Sequence, residues 1–457
     1  MLIRVINRKL DELKNCIGSP SFSRAFQIVL CVFLIAFVSS CKKEETLSKD
    51  SDRIQWIRVL EDEIKFSTDD EFYEGKNGKV ITDPEDNIYI YYYNKDEDKT
   101  VVKKYDPQGV LLWQKNFDDC SPLDMIRLND GSLILAASLT NTLPNFLTLY
   151  SIKTNGTVEA TNDTLKDFIY ASSKVLNATL FATADNGVAV TGIWNGFVSG
   201  SNATGTSTKL FIVKNNADLT RAWSQYFGFT FPPGPIQLVG TPRGTSSITE
   251  TNNGQFLVHF GMEDVGDWVD STTYSLLSAL VNSDGTQDTS YSYLTGYRVK
   301  SNGHTGGQIN RNSKVLMRDF SGDFITHYSL GQTIAGSVNS KSAAFLRVGQ
   351  NALVTDTIPL KLPPGYRIAN CVRSASGFMM TAYKIGVASG TNDYSAAQTL
   401  FLTGGTDWQV TSRFSLQQFY SDFFFSSVAS SDGGFVSMGR IQSFNGPTNK
   451  LTLIKWK

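Results

Sequence analysis

The residues best suited to chemistry form an acidic loop around one tryptophan, in the segment MEDVGDWVD. The loop contains four carboxylates and an indole, which are Glu263, Asp264, Asp267, Asp270 and Trp268. Clustered carboxylates are good ligands for Ca²⁺, which takes roughly six to eight oxygens, and an indole can stack on a sugar or anchor a protein. The spacing differs from the EF-hand order D-x-D-x-D-G, so a solvated acidic loop is the competing interpretation. No cofactor is assigned, and Ca²⁺ is kept as an alternative.

A second candidate contact is aromatic. Trp194, Asn195 and Phe197 stand at the start of a Gly/Ser-rich stretch, which we interpret as a loop. Trp194 is therefore a candidate partner-binding residue, and a core or hinge role is the alternative.

Catalytic constellations are not evident in the sequence. The histidines, His259, His304 and His327, lie far apart in the chain, and the sequence has no G-x-S-x-G elbow, no H-E-x-x-H and no phosphate-binding loop. Carboxylates from distant segments can meet in a glycosidase, but a single sequence does not reveal such a meeting. We therefore predict a protein that is not an enzyme, with a glycosidase or lyase as the alternative.

The N-terminal segment has the plan of an export signal. Five basic residues precede position 25, and no charged residue occurs from Ala25 to Ser40. The apolar run from Ala25 to Val38 would reach roughly 21 Å as a helix, which is short of the roughly 30 Å of a hydrocarbon core. A cleaved signal is favoured over a permanent transmembrane helix.

The end of this segment, Val38-Ser39-Ser40-Cys41, resembles the lipobox of bacterial lipoproteins. The resemblance implies cleavage before Cys41 and lipidation of its thiol, which would anchor the chain to a membrane. Residues 1–40 are then the signal peptide and 41–52 a tether. The charged start of that tether, CKKEE, resembles the surface-export signal of lipoproteins that reach the outer leaflet, and a plain solvated linker is the alternative.

The composition of the mature chain argues against nucleic acid as a partner. Removal of residues 1–40 leaves 417 of 457 residues, with 37 of the 42 basic and 41 of the 43 acidic side chains. The formal charge is then about -4, without the excess of basic residues that nucleic-acid binding requires. Two further cysteines, Cys120 and Cys371, are 251 positions apart, and we predict two free, buried thiols.

One unit recurs along the chain: an apolar alternation, a tight turn rich in Asn, Asp and Gly, and a second alternation. Such turns need positive φ, which these residues adopt at least cost. The clearest copies are Asn129-Asp130-Gly131 before LILAAS, Asp185-Asn186-Gly187 before VAVTG, Asn252-Asn253-Gly254 before QFLVHF, and Asp432-Gly433-Gly434 before FVSMG. Weaker copies are Asp86-Asn87 before IYIYYY, Asn312-Ser313 before KVLM, and Ser376-Gly377 before FMMTAY.

Seven units of four strands predict an all-β fold, a seven-bladed β-propeller over residues 53–457. The last unit ends after its third strand, and the N-terminal segment IQWIRVL has the features of a fourth. In the fourth strands a tryptophan precedes an apolar residue by four positions, as in Trp113 and Phe117 or Trp56 and Leu60; Trp408 has the same place without the partner. The N-terminal strand should therefore close the ring. Six or eight blades remain alternatives if the unit at 301–360 is misread.

The added length lies in the connections between second and third strands. These are residues 195–208, 262–272, 331–342 and 385–397. Because loops on a rigid scaffold often carry binding residues, we expect the contact surface on this face of the propeller.

The blade repeats with D-G-G-F, together with the lipobox, resemble β-propeller lipoproteins of Gram-negative outer membranes. The resemblance implies an outer-membrane lipoprotein, anchored through Cys41 and displayed at the cell surface, with a binding or scaffold role toward an envelope protein or glycan. The stretch VVKKYDPQGVLLWQKNF is also similar to repeats of the propeller lipoprotein in the outer-membrane barrel assembly machine. That similarity implies the alternative of a scaffold facing the periplasm.

Overall fold

The computed structural model describes the following parts of the chain: residues 53–63, 78–94, 97–139, 147–163, 174–197, 206–227, 241–264, 273–286, 288, 296–300, 308–309, 316–334, 337–364, 366–384, 398–416, 421–442 and 450–457. These residues form 29 strands, which hydrogen-bond into seven antiparallel sheets. Each sheet is one blade of a β-propeller, and the seven-bladed all-β prediction is confirmed.

The blades follow one another along the chain. Blade 1 contains β2 (Lys79–Thr82), β3 (Ile88–Asn94), β4 (Lys99–Tyr105) and β5 (Leu111–Asp118). Blade 2 contains β6 (Cys120–Arg127), β7 (Leu133–Leu139), β8 (Leu147–Ile152) and β9 (Val158–Asp163). Blade 3 contains β10 (Lys174–Ala182), β11 (Val188–Phe197), β12 (Thr206–Asn215) and β13 (Arg221–Phe227). Blade 4 contains β14 (Thr241–Glu250), β15 (Phe256–Asp264), β16 (Thr273–Val281) and β17 (Gly296–Lys300).

The remaining blades include two variations on this plan. Blade 5 contains β18 (Gln308–Ile309), β19 (Met317–Arg318), β20 (Phe324–Ile334), β21 (Ser337–Val348) and β22 (Val354–Leu360), with β18 and β19 both paired to β20. Blade 6 contains β23 (Tyr366–Arg373), β24 (Phe378–Lys384), β25 (Gln398–Gly404) and β26 (Val410–Phe414). Blade 7 contains β27 (Ser421–Ala429), β28 (Phe435–Gln442), β29 (Lys450–Trp456) and β1 (Ile54–Glu63).

The ring closes as the sequence predicted, because the first strand of the chain completes the last blade. Strand β1 pairs antiparallel with β29, in a register that joins Ile54 to Trp456 and Val59 to Thr452. The backbone N–H of Lys457 donates to the carbonyl of Arg53 at 2.8 Å. The free edge that β29 would otherwise present is covered by this pairing.

Two predictions for blade 5 are wrong. The turn between its first and second strands begins at Asp319 and includes Gly322, rather than lying at Asn312-Ser313, which are outside the described residues. The segment 331–342 is mostly strand rather than loop, since β20 and β21 stay paired out to Ile334 and Ser337. The interpretation failed because Asp319-Phe320-Ser321-Gly322 lacks the Asn/Asp-Gly pair used to identify turns.

Both faces of each blade are buried, because each sheet lies between two neighbours. In β3 the alternate residues Ile88, Ile90 and Tyr92 pack with residues of blade 7, while Tyr89 and Tyr91 pack with blade 2. This explains why the strand reads as a continuous apolar run, although alternation is the usual mark of a half-buried strand. Cys120 and Cys371 are free and buried in such interfaces, which confirms the prediction for both thiols.

Tryptophans of the outer strands join neighbouring blades by one recurring contact. The indole N–H of Trp113 donates to the carbonyl of Thr154 at 2.8 Å, in the turn between β8 and β9 of the next blade. Gly156 closes that turn with φ +87°, and a Cβ there would lie 3.1 Å from the indole ring. Trp223 and Trp56 make the same bond, to the carbonyls of Ser283 at 2.8 Å and Pro107 at 3.2 Å. The contact of Trp56 shows that β1 takes the part of a fourth strand in full.

At two junctions the large side chain comes from the turn. In blade 2 the outer strand has Ala160 at the tryptophan position, and the facing turn of blade 3 carries buried Leu219 at φ +65° in the glycine position. In blade 6 that turn position is Trp408, at φ +62° and 1% exposed, which packs on Phe320, Phe345 and Phe378. The prediction that Trp408 is a fourth-strand tryptophan is therefore wrong.

Candidate functional site: the axial cavity

A cavity of about 330 Å³ lies where the first strands of the blades meet. Residues from the first strands of blades 1, 2, 3, 4, 6 and 7 line it, together with Leu316 and Met317 of blade 5. The first strands are thus the innermost ones, and the cavity lies on the propeller axis. Its volume is near the lower end of the roughly 300–1,000 Å³ that is typical of small-molecule sites.

In six of the seven blades, one polar residue at a fixed distance from the turn lines this cavity. The turns between first and second strands begin at Asp83, Leu128, Thr183, Thr251, Asp319, Ser374 and Ser430. Four positions earlier, six of the strands carry a polar residue that lines the cavity: Lys79, Asp124, Thr179, Ser247, Asn370 and Ser426. We call these six residues the axial ring.

Bulges turn three members of the axial ring toward the axis. The strand register shifts just before Asp124, Asn370 and Ser426, so one extra residue is inserted ahead of each. A bulge bends its strand and redirects the next side chain. The local sequence alternation would otherwise place these polar groups on a packed blade face.

Each member of the axial ring is bonded to the first-strand segment of the next blade. The bonds run from Lys79 Nζ to Asp124 Oδ1 at 2.8 Å, Leu180 N to Asp124 Oδ2 at 2.8 Å, Thr179 Oγ1 to Ser246 O at 2.6 Å, Leu316 N to Ser247 Oγ at 3.0 Å, Asn370 Nδ2 to Ser427 O at 3.3 Å, and Val80 N to Ser426 Oγ at 3.1 Å. Six of the seven junctions are joined in this way. The ring therefore fixes the register between blades, at about 1 kcal/mol per bond.

The ionic pair of the cavity is unequal in its hydrogen bonding. Asp124 accepts three hydrogen bonds, because Oδ1 accepts from Lys79 and from the N–H of Met125 at 2.9 Å while Oδ2 accepts from the N–H of Leu180. Lys79 has three N–H donors, and Asp124 is the partner shown for it among the described residues. Its side chain is 35% exposed, so the ammonium reaches solvent through the cavity.

Two other lining groups are held in their protonated forms. Burial, followed by the charge of Asp124, raises the pKa of Tyr91 well above its ordinary value, and its hydroxyl donates to the carbonyl of Leu123 at 3.2 Å. Burial also raises the pKa of Cys371, so this lining thiol is not a ready nucleophile. Among the described lining residues Asp124 is the one carboxylic acid, whereas glycoside hydrolysis ordinarily uses two.

Two of the three histidines are buried away from this cavity. His259 is 1% exposed, and its Nδ1 lies 3.0 Å from the hydroxyl of Ser278. His327 is fully buried, and burial lowers the pKa of both imidazoles to about 4. Both are therefore neutral packing residues at ordinary pH. His304 lies outside the described residues.

The structure places three of the predicted partner-binding residues at one end of adjacent blades. Trp194 lies within β11, paired with Val175 and Lys209, so the interpretation of a loop start is wrong. Glu263 and Asp264 are the last residues of β15. Both strands end on the face opposite the first-to-second turns.

The rest of the predicted site lies outside the described residues: Asp267, Trp268, Asp270 and the lipidation residue Cys41. In the described part of the chain, no group of three acidic, histidine or cysteine side chains is arranged to hold a metal ion. Ca²⁺ at the acidic loop stays a prediction. No helix among the described residues is long and apolar enough to span a membrane.

The face that carries the first-to-second turns is tied together by its own side chains. Bonds between consecutive blades run from Asn186 Nδ2 to Asp130 Oδ2 at 3.2 Å, Ala184 N to Glu250 Oε2 at 2.9 Å, Arg318 Nη1 to Asn252 Oδ1 at 2.6 Å, Arg373 Nη1 to Arg318 O at 3.0 Å, and Ser431 N to Asp86 Oδ1 at 2.7 Å. These bonds include the junction of blades 5 and 6, which the axial ring leaves out. Many polar groups of this face are thus already engaged within the molecule.

The axial ring was missed in the sequence, although its signal is present. Six of the seven repeats have a polar residue four positions before the turn, as with Asp124 in PLDMIRL and Asn370 in IANCVR. Aligning the repeats on their turns would have exposed it. The bulges obscured it, because they break the alternation by which inward and outward positions are assigned.

Comparison with known proteins identifies a shared fold. No family model matches the sequence, and no curated protein does. Polysaccharide lyase Uly1 is similar in structure, with TM-score 0.53 and 9% identity over 89% of this chain and 99% of that one. A protein of unknown function from Dyadobacter fermentans has TM-score 0.45 and 11% identity over 88% and 100% of the two chains. The Dos1 propeller has TM-score 0.41 and 8% identity over 83% and 76%.

At such identities the similarity is one of fold alone. A propeller can carry an enzyme or a binding protein, so the comparison leaves open whether this chain is an enzyme.

Proposed function

We propose that this protein is a lipoprotein of a bacterial outer membrane, anchored through Cys41 and displayed at the cell surface. Its role is to bind or scaffold an envelope protein or glycan. The face that carries the second-to-third strand connections is the contact surface.

One observation supports that face in particular. Polar groups of the opposite face bond to one another across blade junctions, as between Asn186 and Asp130. On the proposed contact face the paired strands stop and long connections begin, after Asp264 in β15 and after Lys384 in β24. Such connections on a rigid ring can vary in sequence without disturbing the fold.

The direct test is capture of a partner by the complete lipidated protein. Tagged wild type and Trp268→Ala are solubilised from membranes in mild detergent, and co-purifying proteins and glycans are compared. We expect Trp268→Ala to lose at least about tenfold of the captured partner, which is typical for removal of a central interface aromatic. Leu112→Ala, at an exposed position of the outer strand β5, is the matched control and should capture normally. Equal capture by Trp268→Ala would remove Trp268 from the site.

Protease shaving of intact cells distinguishes the two orientations. Cleavage of the propeller without lysis is the result expected for surface display. Protection until the outer membrane is opened would instead favour the alternative of a periplasm-facing scaffold in an assembly complex.

An enzymatic role, as a lyase or glycosidase, is the second alternative, because the similar fold of Uly1 belongs to a polysaccharide lyase. Incubation with acidic polysaccharides tests it. The ultraviolet absorbance of an unsaturated uronate would appear with a lyase, and new reducing ends would appear with a glycosidase. Neither product is expected from a protein that only binds.

A further inference from the structure

Lys79 and Asp124, the ion pair of the axial cavity, differ in how many hydrogen bonds each can still make. The carboxylate of Asp124 accepts three bonds, from Lys79, Met125 and Leu180, and has little capacity left. Lys79 contributes one of these bonds and keeps two N–H groups that can donate to a ligand. Lys79 therefore supplies unused donors to the cavity.

Two hydroxyls add further donors. Ser247 and Ser426 each accept a backbone N–H through Oγ, at 3.0 and 3.1 Å, and each lines the cavity. A serine hydroxyl that accepts still has its own proton to donate. A ligand rich in acceptor oxygens would complete these groups, and a negative charge would be favoured beside the ammonium.

The rest of the lining limits the size and character of the ligand. The cavity holds about 330 Å³, enough for a small molecule but not for a folded segment. Phe181 is half-buried and lines it beside Thr179 and Leu180, so it presents an apolar ring to the same space. An aromatic ring beside a few polar groups is a usual lining of a small-molecule site. The donors of this lining suit the hydroxyl and carboxylate oxygens of a sugar acid.

We propose that the axial cavity binds a small anionic sugar, with the carboxylate of the ligand on Nζ of Lys79 and its hydroxyls on the axial ring. This site goes beyond the proposed function, because it lies on the axis and does not involve Trp268 or the strand connections. The two sites can therefore fail independently.

Titration calorimetry on the complete lipidated protein in detergent tests the site. The probes are glucuronate and galacturonate, with glucose and galactose as neutral counterparts and glucose 6-phosphate as the alternative anion. We expect the uronates to bind at least about tenfold more tightly than the neutral sugars. Equal affinity for charged and neutral sugars, preference for the phosphate, or no saturable binding at about 10 mM would overturn the proposal.

Variants of Lys79 distinguish a direct contact with the ligand from a purely structural role. Lys79→Met should abolish uronate binding, whereas Lys79→Arg keeps the charge and should retain it. Lys115→Met, at an exposed position of β5, is the matched control and should bind as the wild type does. Thermal unfolding confirms that each variant is folded before binding is compared.

Asp124→Asn gives the sharpest distinction, since it removes the charge that competes for Lys79. If Lys79 anchors an anion, this variant binds uronate several-fold more tightly. If Lys79 does not contact the ligand, uronate affinity is unchanged in an Asp124→Asn variant that unfolds at the wild-type temperature, and the proposal is wrong.

Discussion

Asp422 is a carboxyl group in the first strand of blade 7 that the fold holds in an unusual state. It is 2% exposed, Oδ1 accepts the backbone N–H of Thr399 at 3.1 Å, and Oδ2 has no hydrogen-bond partner among the described residues. Burial raises its pKa from 3.8 to about 7. Near neutral pH the folded protein therefore retains a proton on this side chain that the unfolded chain releases.

Asp422→Asn should accordingly remove a pH-dependent loss of stability. Because the pKa is raised in the folded state, protonated Asp422 contributes stability that is fully present below pH 3.8 and is lost as the pH rises through about 7. The loss is on the order of 4 kcal/mol by pH 8, at about 1.4 kcal/mol per pKa unit. Urea unfolding from pH 5 to pH 8 should show that the free energy of unfolding of the variant rises relative to that of the wild type as the pH rises.

His259 and His327 act in the opposite sense, so the variant must be compared with the wild type at each pH. Burial lowers their pKa to about 4, and their contribution is present above pH 6.5 and lost as the pH falls through 4. Asp118→Asn, at an exposed carboxylate of β5, is the control and should track the wild type. A constant difference between Asp422→Asn and the wild type would contradict the account.

At the scale of strands and turns, each of these junctions between blades packs an outer strand against a turn of the next blade, and the large side chain comes either from the strand or from the turn. Trp113 reaches from an outer strand onto Gly156 of the next turn, whereas Leu219 reaches from a turn toward Ala160 of an outer strand. A large side chain from one partner accompanies a small one from the other, because the space between blades is fixed by the ring.

A double-mutant cycle at Ala160 and Leu219 tests this exchange. Leu219→Gly alone leaves a cavity and should cost about 2–5 kcal/mol, less the strain relieved at positive φ. Ala160→Trp alone overfills the junction and should cost about 1–3 kcal/mol. The double variant recreates the pairing of Trp113 with Gly156, so it should be at least about 1 kcal/mol more stable than the sum predicts.

Urea unfolding of the four proteins measures this coupling. Ala160→Trp combined with Leu353→Gly, in a different blade, is the control pair and should be additive. If the effects of Ala160→Trp and Leu219→Gly on the free energy of unfolding are additive, the two side chains do not share the space between the blades, and the account of this junction is wrong.

The sequence predicted these elements where their signal is local. Turns such as Asp432-Gly433-Gly434 need a residue with positive φ, and the presence of Asn, Asp or Gly in the sequence indicates such a position. The position of Trp408 was predicted wrongly because its role depends on packing against Phe345 of the neighbouring blade, which is distant in sequence. The axial ring was missed for a related reason, since bulges before Asp124 and Asn370 interrupt the alternation that marks facing direction.

For the molecule as a whole, closure depends on a strand contributed by the other end of the domain. Strand β1 covers β29, and Trp56 binds the turn of blade 1 through the carbonyl of Pro107. Pairing of β1 with β29 keeps the ring closed at the blade where the two ends of the domain meet.

Deletion of residues 54–63 should therefore open the ring. The exposed edge of β29 is expected to pair with other chains, so size-exclusion chromatography should show soluble aggregates. A thermal melt should show a lower unfolding temperature. Deletion of the ten tether residues 42–51 is the length-matched control and should leave a propeller of wild-type size. A propeller without β1 that keeps the size and stability of the wild type would show that three strands suffice in blade 7.

We propose that this propeller is held at a membrane by lipid on Cys41. Labelling growing cells with an alkyne fatty acid, for wild type and Cys41→Ser, tests it most directly. We expect label on the wild-type protein, none on Cys41→Ser, and loss of the variant from the outer-membrane fraction. An unlabelled wild type, or label that persists in Cys41→Ser, would contradict the account.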